Sequence, residues 1–227
     1  MRDNSQRSTL LVYFFAILIF SYLLSIYTGY LHYDMLIHAR DEGGVTNEVF
    51  ESDEARFGIG LIIKYVVLFM VSVLFLLWFR RGYGNLHALN IKSLNYSASM
   101  SIWGFFIPFV NLIRPYEIAK DMAIEIRVMI GKVSKDYQHK TNDSVVAWWW
   151  GTYVITSIVM TIVGRLVEDA ETLDGMINFA MVDIIDNIVH IPAAIIALIM
   201  VRQISQDENT LFQLYASGQL EAVNSTN

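Results

Sequence analysis

The sequence predicts an all-α membrane protein: four transmembrane helices, a re-entrant or interfacial segment between the second and third, and a cytoplasmic amphipathic helix. Three observations predict it. The 227 residues are 55% hydrophobic and only 17% charged, with a mean hydropathy of +0.43, where a soluble domain carries about 25% charged residues. The apolar residues gather into four runs, each long enough to cross a hydrocarbon core of ~30 Å at ~1.5 Å per residue. Lysine and arginine are sorted to one side of those runs.

Residues 1–8 are a short polar lead with Arg2 and Arg7. The first span covers about 9–30. Its apolar part is too long for a signal peptide and no small-x-small cleavage site follows, so it reads as a retained span. Residues 31–57 read as a polar, acidic loop carrying Asp34, Asp41, Glu42, Glu48, Glu51, Asp53 and Glu54, with Gly43-Gly44 marking a turn. The second span, about 58–79, is interrupted only by Lys64 and closed by Arg80-Arg81. Residues 80–98 then read as a basic, turn-rich connection.

The segment 99–113 is apolar but short for a span, and Pro108 breaks it. That combination fits a re-entrant or interfacial element. Pro115 opens a helix over 115–134, a position where its missing N–H costs nothing. Ile118, Met122, Ile126, Met129, Ile130 and Val133 form one stripe with a period near 3.6. Lys120, Asp121, Glu125, Arg127 and Lys132 occupy the other faces. This amphipathic helix is expected on the membrane surface or against the bundle, on the cytoplasmic side.

The third span, about 145–167, opens with Trp148-Trp149-Trp150, residues that favour the membrane–water boundary. Glu168, Asp169, Glu171 and Asp174 form a short acidic loop, and the fourth span covers about 176–201. Ser205-Gln206-Asp207-Glu208 resembles a capping box, from which a short helix runs to about Tyr215. Residues 1–205 therefore read as one helical membrane domain and 206–227 as a cytoplasmic tail.

Orientation follows from the basic residues. Arg2, Arg7, Arg80, Arg81, Lys92, Arg114, Lys120, Arg127, Lys132, Lys135, Lys140 and Arg202 fall on one side, and only Arg40 and Arg56 on the other. This bias puts both termini in the cytoplasm and both acidic loops outside, provided that 99–113 does not cross. The absence of cysteine excludes disulfides, thiolate metal sites and cysteine catalysis. No Ser/His/Asp, His-Glu-x-x-His, phosphate-loop or dinucleotide pattern is present, so no catalytic residue, cofactor or metal site is expected. Both membrane aspartates share one helix, which argues against intramembrane aspartate proteolysis. No compact basic domain points to nucleic acid.

Several residues carry a resemblance. Arg81-Gly82-Tyr83-Gly84-Asn85-Leu86, Trp103, the run Phe106-Ile107-Pro108 through Asn111-Leu112-Ile113-Arg114-Pro115-Tyr116-Glu117, and the tryptophans at 148–150 resemble a bacterial membrane family catalogued as domain of unknown function 4328. The resemblance spans roughly residues 60–205. It implies a multi-pass inner-membrane protein, and it supplies no catalytic residues. The 31–57 segment is not part of the recognised pattern.

Charged side chains in a span cost roughly 2.5–3.5 kcal/mol on insertion scales, so each needs a reason. Asp183, Asp186, Asn187 and His190 fall on one face of the fourth span, which Ala194 and Ala197 continue. One reading is a proton or cation path or a ligand site, with Asp186 and His190 one turn apart sharing a proton or a metal, although no third metal ligand accompanies them. The other is a buried, hydrogen-bonded packing face. Lys64 or Arg165 is the expected partner of Asp183; the alternative is that both cations snorkel to the surface. Ser21, Ser25, Thr28 and His32 line one face of the first span, and Ser157, Thr161 and Gly164 one face of the third, both read as packing ridges. Glu117, Asp121 and Glu125 form an i, i+4 row, read as a solvated face answered by Arg80, Arg81 or Arg114. The basic side attracts anionic lipids. The expected function is a non-enzymatic envelope protein acting through lipids or a membrane-protein partner. The alternatives are a small proton or ion channel or transporter element using Asp183, Asp186 and His190, and an enzyme acting on a lipid at the cytoplasmic surface.

Overall fold

The computed structural model describes residues 1–165 and 172–220. Glu168, Asp169 and Glu171 of the second acidic loop, and the end of the expected tail, lie outside the described residues. Among the described residues the chain forms six α-helices and no strand: α1 (Ser5–Asp41), α2 (Asn47–Ala88), α3 (Met100–Trp103), α4 (Arg114–Val133), α5 (Asp143–Gly164) and α6 (Leu173–Ala216), with a 3-10 turn at Val110–Leu112. Four of them, α1, α2, α5 and α6, are long and apolar enough to cross a membrane.

Helix length corrects three boundaries. At 37, 42 and 44 residues, α1, α2 and α6 are each about twice as long as a ~30 Å hydrocarbon core requires. The stretch 31–57 is therefore not a loop. α1 runs on to Asp41 and α2 begins at Asn47, leaving a turn in which Gly43 (φ 81°) and Gly44 (φ 129°) take the left-handed backbone that glycine adopts without strain. The acidic residues sit on helical turns, because Glu and Arg are good helix formers and hydropathy tracks lipid rather than helix. The connection expected over 80–98 likewise starts only after Ala88. Gly82 and Gly84 do not break α2; a Cβ at Gly82 would press on the Met122 methyl of α4.

At the other end, Ser205–Glu208 starts no new helix. α6 passes through it without interruption, and the Ser205 hydroxyl accepts from Trp78 Nε1 at 2.9 Å. Helix α5 is described to Gly164, and residues 166 and 167 of the expected third span lie outside the described residues. Between α2 and α4, the segment 99–113 holds only the single turn of α3, the 3-10 turn and tight bends. One of these is at Phe109, whose φ of 63° is unusual for a side chain of that size. α4 starts at Arg114, with Pro115 in its first turn.

The chain divides into two compact units: Met1–Tyr13, Ser72–Gly151 and Ile196–Asn227 form the first, and Phe14–Val71 with Thr152–Ile195 the second. In the first unit, one stripe of α4, Ile118, Ala119, Met122, Ala123, Ile126, Met129 and Ile130, is buried. Trp78, Phe79 and Tyr83 of α2 are wholly buried, and Phe75 stands 5.6 Å from Trp149 of α5, ring centre to ring centre. In the second unit the buried positions of α1 include Ser21, Ser25, Thr28 and His32 beside Phe15, Leu18, Met35 and Leu36. Asp53, Phe57, Lys64 and Val71 are buried on α2, and Ile177, Ala180, Asp183 and Asn187 on α6. Outward faces are apolar instead: Ile59, Ile62, Val66 and Phe69 of α2 are all exposed. A protein that turns its large aliphatic residues out and its polar ones in is built for lipid as solvent.

Candidate functional site

The second unit gathers charge where α1, α2 and α6 meet. Lys64 and Asp183 form an ion pair, with side chains 2% and 5% exposed. Lys64 Nζ donates to Asp183 Oδ1; Oδ2 accepts from Asn187 Nδ2 at 3.0 Å and from the Ser25 hydroxyl at 3.3 Å. Asn187 also donates to the Asp183 carbonyl at 2.6 Å, a bond within one turn of α6. The carboxylate thus has three donors from three helices. Small residues make this possible. A Cβ at Gly60, one turn before Lys64, would come 2.5 Å from Thr28 Oγ1, so α1 and α2 are close there. Arg165 is exposed and makes no ion pair with Asp183 among the described residues.

Asp186 and His190 share α6 but are less enclosed. His190 Nδ1 lies 3.0 Å from Asp186 Oδ1, with side chains 30% and 28% exposed, and the ring is 6.0 Å from Tyr22 of α1. Of the expected polar face, Asp183 and Asn187 are therefore buried in one network, and Asp186 and His190 form a half-buried pair of their own. A second network lies at the far end of the same unit. His32 Nδ1 is 2.5 Å from Asp53 Oδ2, Arg56 bonds the other carboxylate oxygen, and the imidazole stacks on Phe57 at 4.3 Å. The hydroxyl ridge of the third span differs from expectation. Ser157 is half-buried and Thr161 exposed, each hydroxyl bonds the carbonyl four residues back at 2.7 Å, and among the described residues of α5 the buried hydroxyl is that of Thr156.

The first unit holds the family-motif residues. Asn85, 3% exposed, ties three chain segments: its Oδ1 accepts from the Arg2 N–H at 2.8 Å, and its Nδ2 donates to the Arg2 carbonyl at 2.9 Å and to Glu208 Oε1 at 2.8 Å. Glu208, also buried, takes a second amide from Asn4 at 2.9 Å. Tyr83 donates to the Tyr96 carbonyl at 3.2 Å. Arg114 lies over the Tyr96 ring at 4.3 Å and bonds both its hydroxyl and Glu117, which Tyr96 reaches at 2.7 Å. That last bond is the first reason the Tyr96 phenol is held above its ordinary range. Pro108 accepts from the Val110 N–H at 2.8 Å, Asn111 donates its backbone N–H to Ile107 at 2.9 Å, and Tyr116 is half-buried.

The carboxylate row of α4 meets one of its three expected cations, Arg114. Arg114 answers Glu117, Ser93 donates to Glu125 at 2.7 Å, and Asn95 bonds Asp121. Among the described residues Arg80 and Arg81 form no ion pair with the row. Burial, then the neighbouring Glu125 charge, pushes the Asp121 carboxyl above its ordinary value.

Sequence reasoning missed Asp53, Asp207 and Glu208 as organising groups. Asp207, 2% exposed, accepts from the Lys140 and Thr141 N–H groups at 2.9 Å each and from the Thr141 hydroxyl at 2.7 Å. Its partners lie 66 and 67 residues away, which no local pattern announces.

No curated protein and no solved structure matches this chain. The family model described as "Domain of unknown function (DUF4328)" matches residues 41–206, so the match takes in the start of α2, which the sequence resemblance left out. With most of its length matched, and with four helices long and apolar enough to cross a membrane, the chain belongs to that family of unknown function.

Proposed function

We propose that this chain is a non-enzymatic protein of the bacterial inner membrane, with both termini cytoplasmic, that acts through lipids or a membrane-protein partner. One observation carries the reading: the charges set deepest among apolar residues satisfy each other. Lys64 and Asp183 are buried side by side, with Ser25 and Asn187 filling the remaining lone pairs. A conducting path needs its ionisable groups to exchange protons or ions with water; a buried pair bonded across three helices holds those helices together instead. The lysine and arginine bias supports the orientation. The exposed apolar side chains Trp103, Phe106, Ile107, Phe109, Leu112 and Ile113 support an interfacial role for 99–113 beside a cytoplasmic α4.

A second reading rests on Asp186 and His190, whose side chains keep over a quarter of their surface open. Under it the chain is a small proton or ion channel or transporter element. Proton and ion flux in proteoliposomes separates the two. Wild type and Asp186→Asn are both expected at background. Flux above background that Asp186→Asn abolishes would overturn the non-transport reading.

A further inference from the structure

The first unit contains a cavity of about 620 Å³ lined by four arginines, Arg2, Arg7, Arg80 and Arg81, together with Leu77 and Asn85. Two antiparallel helix ends bring them together. Asn85 clamps the backbone of Arg2, Asn4 donates to the Trp78 carbonyl at 3.2 Å, and Arg7 Nη1 donates to the Leu77 carbonyl at 3.1 Å. Residues 2, 4 and 7 of the amino-terminal segment thus run against 85, 78 and 77 of α2. On α2, Leu77, Arg81 and Asn85 are successive i, i+4 positions on one face. Gly84 keeps the wall open, since nothing lies within 4 Å of the Cβ that it lacks.

No ion pair among the described residues neutralises the charge of this cavity. Among the described residues none of the four guanidinium groups forms an ion pair. Asp3 and Glu208 do not line it, and Glu208 attracts Arg81 from outside the cavity. Glu208 is held by the Asn4 and Asn85 amides, and Asp3 accepts from the Ser5 N–H at 2.8 Å and the Ser5 hydroxyl at 2.9 Å. Four like charges held around one cavity repel, and an anion seated among them removes that repulsion. Guanidinium forks match phosphate oxygens two at a time, and most of the donors here are unused.

The surroundings favour a lipid as the source of the phosphate. Arg80 and Arg81 close the apolar run of α2, and Arg7 precedes that of α1. One or two turns into those runs, Leu10 and Tyr13 of α1 and Val73 and Leu77 of α2 are exposed, at 44%, 65%, 37% and 42%. Charge at headgroup level above open aliphatic surface is the arrangement a phospholipid presents in reverse. We propose that Arg2, Arg7, Arg80 and Arg81 form a site for the phosphate of an anionic phospholipid headgroup. This rests on the reading of the chain as a lipid-interacting protein and names the class of lipid.

The test uses the full chain in a neutral detergent, titrated with short-chain phosphatidylglycerol, short-chain phosphatidylcholine or inorganic phosphate, with the unfolding midpoint as readout. Phosphatidylglycerol is expected to raise the midpoint saturably. Phosphatidylcholine, whose choline opposes the arginines, is expected to leave it unchanged. Arg80→Gln with Arg81→Gln should weaken the response at least about tenfold. Lys132→Gln with Lys135→Gln, which removes two exposed charges elsewhere in the unit, should not weaken it. If the arginine pair fails to fold, Arg80→Gln alone serves. That side chain is exposed and contributes no hydrogen bond among the described residues, and its loss should weaken binding severalfold. Equal responses from both double variants, or an equal shift with phosphatidylcholine, would overturn the site. A full shift with inorganic phosphate at the same concentration would overturn the lipid assignment. These outcomes are independent of flux: background flux with no lipid response defeats this site and leaves the non-transport reading standing.

Discussion

The two compact units handle charge in opposite ways. In the second, opposite charges are joined and enclosed: Lys64 with Asp183, and His32 and Arg56 with Asp53. In the first, buried carboxylates are held by neutral donors, Asp207 by backbone and threonine groups and Glu208 by two asparagines, while four arginines surround an open cavity. The difference decides which unit seeks a partner. A buried ion pair bonded by groups from three helices fixes how those helices meet. Like charges gathered around a cavity are stabilised by an anion added to it.

The largest effect should come from breaking the enclosed pair. Lys64→Met alone leaves Asp183 with only Ser25 and Asn187, an uncompensated buried charge that is expected to cost about 3–5 kcal/mol. Lys64→Met combined with Asp183→Leu should recover most of it, because an apolar pair of similar volume suits the same space. Unfolding midpoints in detergent across the double-mutant cycle measure the coupling. Unchanged midpoints in both single variants would remove the pair from the account.

A smaller, sharper comparison lies within one turn of α2. At Gly60 an added Cβ would press on Thr28 Oγ1 at 2.5 Å, whereas at Gly58 nothing lies within 4 Å. Gly60→Ala should destabilise by about 1–3 kcal/mol, and Thr28→Ala should rescue it. Gly58→Ala should stabilise by about 0.5–1 kcal/mol through helix propensity alone. The same substitution two residues apart is thus expected to change sign, and equal effects would mean that α1 and α2 do not approach at Gly60.

Much of this was legible in the sequence. Four apolar runs announced the long helices, the 3.6-residue stripe on Ile118 to Ile130 announced the buried face of α4, and the cost of charge in lipid singled out Lys64 and Asp183 before any geometry was known. What hydropathy could not mark was where a helix ends. α1, α2 and α6 continue past their apolar runs on residues such as Glu48, Arg81 and Glu208, which are good helix formers but poor lipid solutes. The same blindness hid the polar ties. Glu208 looks like part of a capping motif because its neighbours in sequence suggest one, yet its partners Asn85 and Asn4 are 123 and 204 residues away. The arginines were counted for orientation one by one; only the antiparallel approach of the two helix ends makes them a cluster.

The most direct test of the contrast between the units is native mass spectrometry of the chain released from detergent after purification from membranes. The account predicts a retained anionic phospholipid on the wild type and on the Lys64→Met, Asp183→Leu double variant, and its loss from the Arg80→Gln, Arg81→Gln variant. Retention that survives loss of both arginines, or that disappears when the enclosed pair is replaced, would contradict it.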